Sequence, residues 1–206
     1  MIRNIVFDMG QVLIRWQPAV MTAKLGLTPE DGNLLSRELL GNVEWVMLDR
    51  GILTQEEVVA QVCQRLPERL HGVARQLTTG WWKKHLEPVE GMESLIARLK
   101  ELGYGIYLLS NANLDLRTYF PRVPGSQFFD GLMVSAEEQL LKPQPEIFRQ
   151  LYRRFSLVPE ECVFIDDSSA NAEAARLTGM DSIVFYGDVQ RLRRELAQRG
   201  IDAEKA

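Results

Sequence analysis

Five short apolar runs punctuate the chain: Ile5-Val6-Phe7, Ile106 to Leu109, Leu132-Met133-Val134, Cys162 to Ile165, and Ser182 to Tyr186. Runs this short and this apolar suit strands covered on both faces. The segments between them carry apolar residues at helical spacing. Met92, Leu95, Ile96 and Leu99 form one such stripe, closed by Gly103. Ile147, Phe148, Leu151, Tyr152 and Phe155 form another behind Pro145, a residue suited to the first turn of a helix. A small-residue helix through Ala175 stops at Gly179, and a last helix, capped by Asp188, packs through Val189, Leu192 and Leu196. Strands alternating with helices predict an α/β fold, a parallel sheet wound on both faces. Its crossovers share one hand, so the carboxyl ends of the strands lie on one rim.

The pattern changes between Val20 and Leu86, where no strand is predicted. Thr28-Pro29-Glu30-Asp31 reads as a helix start, with threonine as cap and proline in the first turn. Thr54-Gln55-Glu56-Glu57 reads as a capping box, followed by an apolar face of Val58, Val59, Val62, Cys63 and Leu66. Arg15 to Pro18 resembles a hinge leading out of the sheet, and Pro88 with Gly91 marks the return. The expected division is a catalytic core of 1–15 and 88–206 interrupted by a helical insertion, 16–87.

Composition narrows this picture without redirecting it. A chain of 206 residues, 46% hydrophobic and 25% charged, can bury one core and a smaller appendage. A formal net charge of −4 offers no field to recruit nucleic acid or anionic lipid. No apolar run reaches membrane-spanning length. Cys63 and Cys162 match no metal spacing and are expected as buried thiols. The first strand begins at once, without a basic leader, and the expected setting is cytoplasmic.

The chemistry lies at the predicted strand ends. Asp8, Ser110 and the pair Asp166-Asp167 each follow an apolar run, and Lys142 falls near the same rim. Singly, each has a plain structural reading. Asp8 can cap a turn, Ser110-Asn111 can be a strand-end turn, Lys142 can be solvated, and Asp166 to Ser168 can cap the next helix. Together they suit phosphoryl transfer. Asp8 can attack phosphorus, Lys142 and a hard cation can neutralise charge, and Ser110 with the Asn111 N–H can hold phosphate oxygens. Mg²⁺ needs only one or two carboxylates besides phosphate and water. Asp8 and Asp167 would supply these, with Asp166 as a second ligand or outer partner.

These residues identify a resemblance to the haloacid dehalogenase-like hydrolase superfamily, in the subgroup with a cap between the first two motifs. The matching motifs are Phe7 to Leu13, Leu108 to Asn111, Leu141 to Phe148 and Phe164 to Ala175. The resemblance implies a Rossmann-like core with a mobile helical cap, and phosphatase activity on a small phosphate ester with Mg²⁺ as cofactor. It further implies Asp8 as nucleophile and magnesium ligand, Ser110 and Lys142 as phosphate holders, and Asp167 as magnesium ligand, with Asp166 and Asn171 supporting the metal. The backbone carbonyl of Gly10 would be another metal ligand. Within the family, the Asp8 to Val12 and Asp166 to Asn171 forms are similar to bacterial α-D-glucose-1-phosphate phosphatases. The run Tyr119-Phe120-Pro121 and the turn Asp49-Arg50-Gly51 fit that group loosely.

One position departs from the family pattern. Most of its phosphatases carry a second aspartate two residues after the nucleophile, where this chain has Gly10. General acid-base help typically contributes roughly 10²- to 10⁴-fold. Gln11 could orient a water but cannot accept its proton. The expectation is a weaker phosphatase, or one suited to a good leaving group such as a sugar 1-phosphate. Two alternatives stay open: a dehalogenase, disfavoured by Asp166-Asp167, and a non-catalytic binding or regulatory protein. Arg15, Trp16 and residues near Trp45 are candidates for reading the leaving group, with domain packing as the competing reading of the tryptophans. Trp81 and Trp82 read as packing aromatics, and His71 and His85 have no assigned role.

Overall fold

The computed structural model describes residues 1–203. Its centre is a five-stranded parallel sheet of β1 (Asn4–Phe7), β4 (Gly105–Ser110), β5 (Gly131–Val134), β6 (Cys162–Asp166) and β7 (Asp181–Val184), in the spatial order β5-β4-β1-β6-β7. The chain fills one side of β1 first and the other side afterwards. The crossovers therefore diverge at β1, which leaves a crevice at its carboxyl end. In-register pairs such as Phe7 with Leu108 and Phe7 with Ile165 bring the ends of β1, β4 and β6 to a common rim. The last strand ends at Val184, short of the expected Tyr186. Its neighbour β6 ends at Asp166, which is paired with Val184, and one further hydrogen bond, from the Phe185 N–H to the Asp166 carbonyl at 2.9 Å, closes the ladder.

Strand alternation sorts the side chains into two cores. Ile5, Phe7, Ile106, Leu108, Val163 and Ile165 pack on one face against α6 (Met92–Glu101) and α11 (Val189–Ala197). Val6, Leu109, Met133 and Phe164 pack on the other against α9 (Pro145–Phe155) and α10 (Ser169–Leu177). Caps expected from the sequence are in place: Ser168 accepts from the Asn171 N–H, and Asp188 accepts from the Gln190 and Arg191 N–H groups.

Among the described residues, those between Pro18 and Lys84 contribute no strand. They form α1 (Pro18–Lys24), α2 (Pro29–Leu35), a π-helical turn (Ser36–Leu40), α3 (Val43–Asp49), α4 (Gln55–Cys63), α5 (Glu68–Thr78) and a 3₁₀ turn (Trp81–Lys84). The Thr54–Glu57 capping box forms, and Thr28 caps α2. This segment has its own apolar cluster, including Leu35, Leu39, Val58, Val62, Leu70 and Leu77. Its two entry points are tied together by a two-stranded antiparallel ribbon, β2 (Ile14–Arg15) with β3 (Glu87–Pro88). Pairs of two residues lie below what periodicity can reveal, which is why the sequence shows only a hinge there. Cys162 is buried as expected, whereas Cys63 is only half-buried, at the edge of the helical cluster. No helix is long and apolar enough to cross a membrane among the described residues.

The helical segment rests on the loops that follow β4 and β5. Ser135 Oγ, at the start of α8 (Ser135–Glu138), donates to the Asp49 carbonyl at 2.5 Å, and Arg50 Nε donates to the Gln139 carbonyl at 3.0 Å. Gln55 Nε2 and Lys83 Nζ both reach Asp115 Oδ2 at 2.5 Å.

Candidate active site

Asp8 follows the last residue of β1 and is 8% exposed. Lys142, whose side chain is 1% exposed, places Nζ 2.7 Å from Asp8 Oδ1 and 2.7 Å from Asp166 Oδ2. Its ammonium also donates to the Leu109 carbonyl at 2.9 Å, so all three of its protons have acceptors. The Asn111 side chain fixes the backbone that carries this lysine. It accepts from the Lys142 N–H at 2.8 Å and donates to the Lys142 carbonyl at 3.0 Å. The lysine predicted to approach the rim is thus held on it by the turn after β4.

Asp166 has no exposed surface and accepts from Lys142, the Ser168 N–H (2.8 Å) and Asn171 Nδ2 (3.0 and 3.2 Å). Its oxygens are engaged by these donors, as an outer partner's would be. Asp167, the next residue, is exposed. One oxygen from each of Asp8, Asp166 and Asp167 lies within 4.8 Å of the others. An all-oxygen set of this kind suits a hard cation such as Mg²⁺. Gly10 lies in the same pocket and bridges to Ile14.

The electrostatics follow from burial. Burial raises Asp8 to about 6; the Lys142 charge opposes this and the Asp166 charge adds to it. Burial pulls Lys142 down, but the two carboxylates outweigh it and leave the lysine above its ordinary value. Asp167, although exposed as a residue, has a partly desolvated carboxyl that raises it, and the Asp166 charge adds to this.

A cavity of about 140 Å³ opens over Asp8. From the core it is lined by Asp8, Gly10, Ser110, Asn111, Asn113, Lys142 and Asn171. From the opposite side come Trp16, Trp45 and Asp49, with Trp82 and Tyr119 completing an aromatic wall. The Trp16 ring meets Trp82 edge to face at 4.9 Å, and Trp82 meets Tyr119 likewise at 5.0 Å. Trp82 Nε1 is buried and has no hydrogen-bond partner among the described residues.

Of the expected leaving-group readers, Trp16 and Trp45 line this cavity and Arg15 does not. Arg15 faces a neighbouring cleft with Gln11, Asp167 and Tyr186. Gln11, in the left-handed region at φ 56°, spends its side-chain oxygen on the Trp16 N–H at 2.8 Å. It therefore sets how the chain turns toward the helical segment. Trp81 stacks on His85 at 4.2 Å, and His71 Nε2 lies 3.0 Å from the Leu66 carbonyl. Sequence reasoning missed Asp49, Asn113, Trp82 and Tyr119 as cavity residues. The only signal for Asp49 was its place in the Asp49-Arg50-Gly51 turn, and Trp82 read as packing.

A model of the haloacid dehalogenase-like hydrolases matches residues 2–179, and the chain belongs to that family. Among curated relatives, a sesquiterpene phosphatase of Aspergillus oryzae is 28% identical over 179 residues, covering 85% of each chain. A D-ribitol-5-phosphate phosphatase of Bacteroides thetaiotaomicron is 28% identical over 195 residues, covering 88% of this chain and 91% of that one. Among solved structures, a family enzyme of Bacteroides thetaiotaomicron in complex with magnesium and inorganic phosphate superposes with a TM-score of 0.69. It is 22% identical and covers 93% of this chain and 99% of its own.

Proposed function

We propose that the protein is a Mg²⁺-dependent phosphatase of a small phosphorylated metabolite, in particular a sugar phosphate such as a hexose 1-phosphate. The observation that carries this reading is the buried Asp8 carboxylate, held by Lys142 beside Asp166 and Asp167 at the floor of a cavity. The relatives named as phosphatases support the reaction class. Within it, Asp8 attacks phosphorus and forms the aspartyl phosphate, and water then returns the carboxylate. Lys142 balances charge at Asp8 and can turn toward a phosphate oxygen, while Ser110 and Asn111 hold the other oxygens. Asp8, Asp167 and the Gly10 carbonyl would hold Mg²⁺, with Asp166 and Asn171 as the outer support. Bound there, the cation supplies positive charge to the phosphoryl oxygens.

The helical segment 16–87 is the proposed cap over a core of 1–15 and 88–206. A cavity of about 140 Å³ accommodates a compact leaving group, and tryptophan faces suit the apolar side of a sugar ring. Dehalogenation is the weaker alternative, because halide departure needs no cluster of three carboxylates.

The test is a phosphate-release screen of metabolites with and without Mg²⁺, with Asp8→Asn as the control. Release that depends on both Mg²⁺ and Asp8 is expected. Halide release unaffected by chelation would favour the dehalogenase. No Asp8-dependent turnover of any ester would leave a binding protein.

A further inference from the structure

A phosphatase that expels an alkoxide needs a proton delivered to the leaving oxygen, and Gly10 has none to give. The leaving oxygen departs from phosphorus opposite the attacking Asp8 oxygen, toward the helical segment. The acidic side chain that the segment presents to the cavity is Asp49, the last residue of α3. We propose that Asp49 is the proton donor to the leaving oxygen and replaces the acid missing at Gly10. The inference rests on the phosphatase reading.

Three observations support the placement. Asp49 lines the cavity together with Trp45 of the helical segment and Asn113 of the core, so it sits at the boundary between the two. Its main-chain carbonyl is clamped by Ser135 Oγ at 2.5 Å. Both Asp49 and Asp8 lie close enough to Tyr119 for their charges to act on its hydroxyl. The residue keeps some exposure, yet burial of the carboxyl holds it well above the usual carboxylate range, which favours the protonated form.

The cations of the neighbouring elements are engaged elsewhere. Lys142 is committed to Asp8 and Asp166, Lys83 to Asp115, and Arg50 Nε to the Gln139 carbonyl.

The step balances. The bond from Asp8 to phosphorus forms as the bond from phosphorus to the leaving oxygen breaks. The Asp49 proton passes to that oxygen, which departs as a neutral alcohol and leaves Asp49 ionised. Water then attacks the aspartyl phosphate from the vacated side, Asp49 takes back one proton, and inorganic phosphate and the Asp8 carboxylate result. The limit to good leaving groups expected from Gly10 would then not apply.

The experiment compares wild type, Asp8→Asn and Asp49→Asn with Mg²⁺ on two esters. One is p-nitrophenyl phosphate, whose leaving group needs no proton. The other is the alkyl phosphate turned over best in the phosphate-release screen. kcat/KM is the readout, because it reports the steps through leaving-group departure. Asp49→Asn is expected to lose roughly 10²- to 10⁴-fold on the alkyl ester and only a few-fold on p-nitrophenyl phosphate. Its alkyl-ester profile should also lose the wild-type fall at high pH, a change that a purely structural role would not produce. Equal losses on both esters, no loss on the alkyl ester, or wild-type activity confined to p-nitrophenyl phosphate would overturn the assignment and leave the phosphatase reading standing. Wild type inert on both esters would overturn both.

Discussion

Lys142 offers the most direct physical test of how this site is held. Replacing it with methionine keeps much of the volume and removes the charge shared by two buried carboxylates. At an effective dielectric of about 20, each 2.7 Å contact carries about 6 kcal/mol of attraction. Much of that offsets the several kcal/mol needed to desolvate each ion, so the net loss is far smaller than the sum. Breaking a buried pair and stranding its partner typically costs about 3–5 kcal/mol. In a chain of this size that corresponds to a fall in Tm of roughly 6–20 °C.

The loss should depend on pH with a definite sign. Asp8 already stands at about 6, above its ordinary 3.8, and losing Lys142 raises it further. A carboxyl raised in the folded state binds its proton more tightly there than in the unfolded chain. The penalty is absent below the unfolded pKa and complete above the folded one. The stability gap between wild type and Lys142→Met should therefore widen between pH 5 and pH 8, measured by urea unfolding in EDTA. A gap that stays constant or narrows with rising pH would refute the argument that Lys142 neutralises the buried carboxylates.

Two further predictions probe how the helical segment is held over the site. Gly51 sits at φ 73°, and a Cβ there would run into the Ala136 carbonyl. Gly51→Ala should cost at least the ~1–2 kcal/mol of a left-handed alanine, and it should raise KM more than it lowers Tm because the segment no longer seats; unchanged Tm and KM would refute this. Thr54→Ala removes the side-chain half of the capping box of α4, while the backbone N–H of residue 54 still reaches Glu57; it should cost about 1 kcal/mol in urea unfolding, leaving kcat on p-nitrophenyl phosphate unchanged.

The five buried strands and the helices between them were legible because apolar runs and helical stripes are local signals. So were the caps at Thr28, Thr54, Ser168 and Asp188, each settled within three residues. The β2–β3 ribbon was not, since two-residue strands separated by the whole helical segment leave no periodicity. Trp82 read as packing, which it does against Trp16 and Tyr119, and nothing in its local pattern shows that the same ring walls a cavity. Asp49 was hidden most completely. A carboxylate at the end of an exposed-looking helix normally faces solvent, and the core residues with which it lines the cavity, such as Asn113 and Lys142, lie far along the chain.

The sequence by itself determined which residues end the sheet strands and in what order, because strand period and chain reversal at β1 depend on local composition and crossover handedness. It thereby brought Asp8, Ser110 and Asp166 to one rim. Tertiary structure alone decided that the Lys142 ammonium lies between Asp8 and Asp166, that the Asp166 oxygens are engaged, and that Asp49 reaches the cavity of Asp8. These relations depend on desolvation and on contacts between segments remote in sequence: the Lys142 and Asp166 contacts arise when the sheet and its loops assemble, and the place of Asp49 arises when the helical segment packs against them.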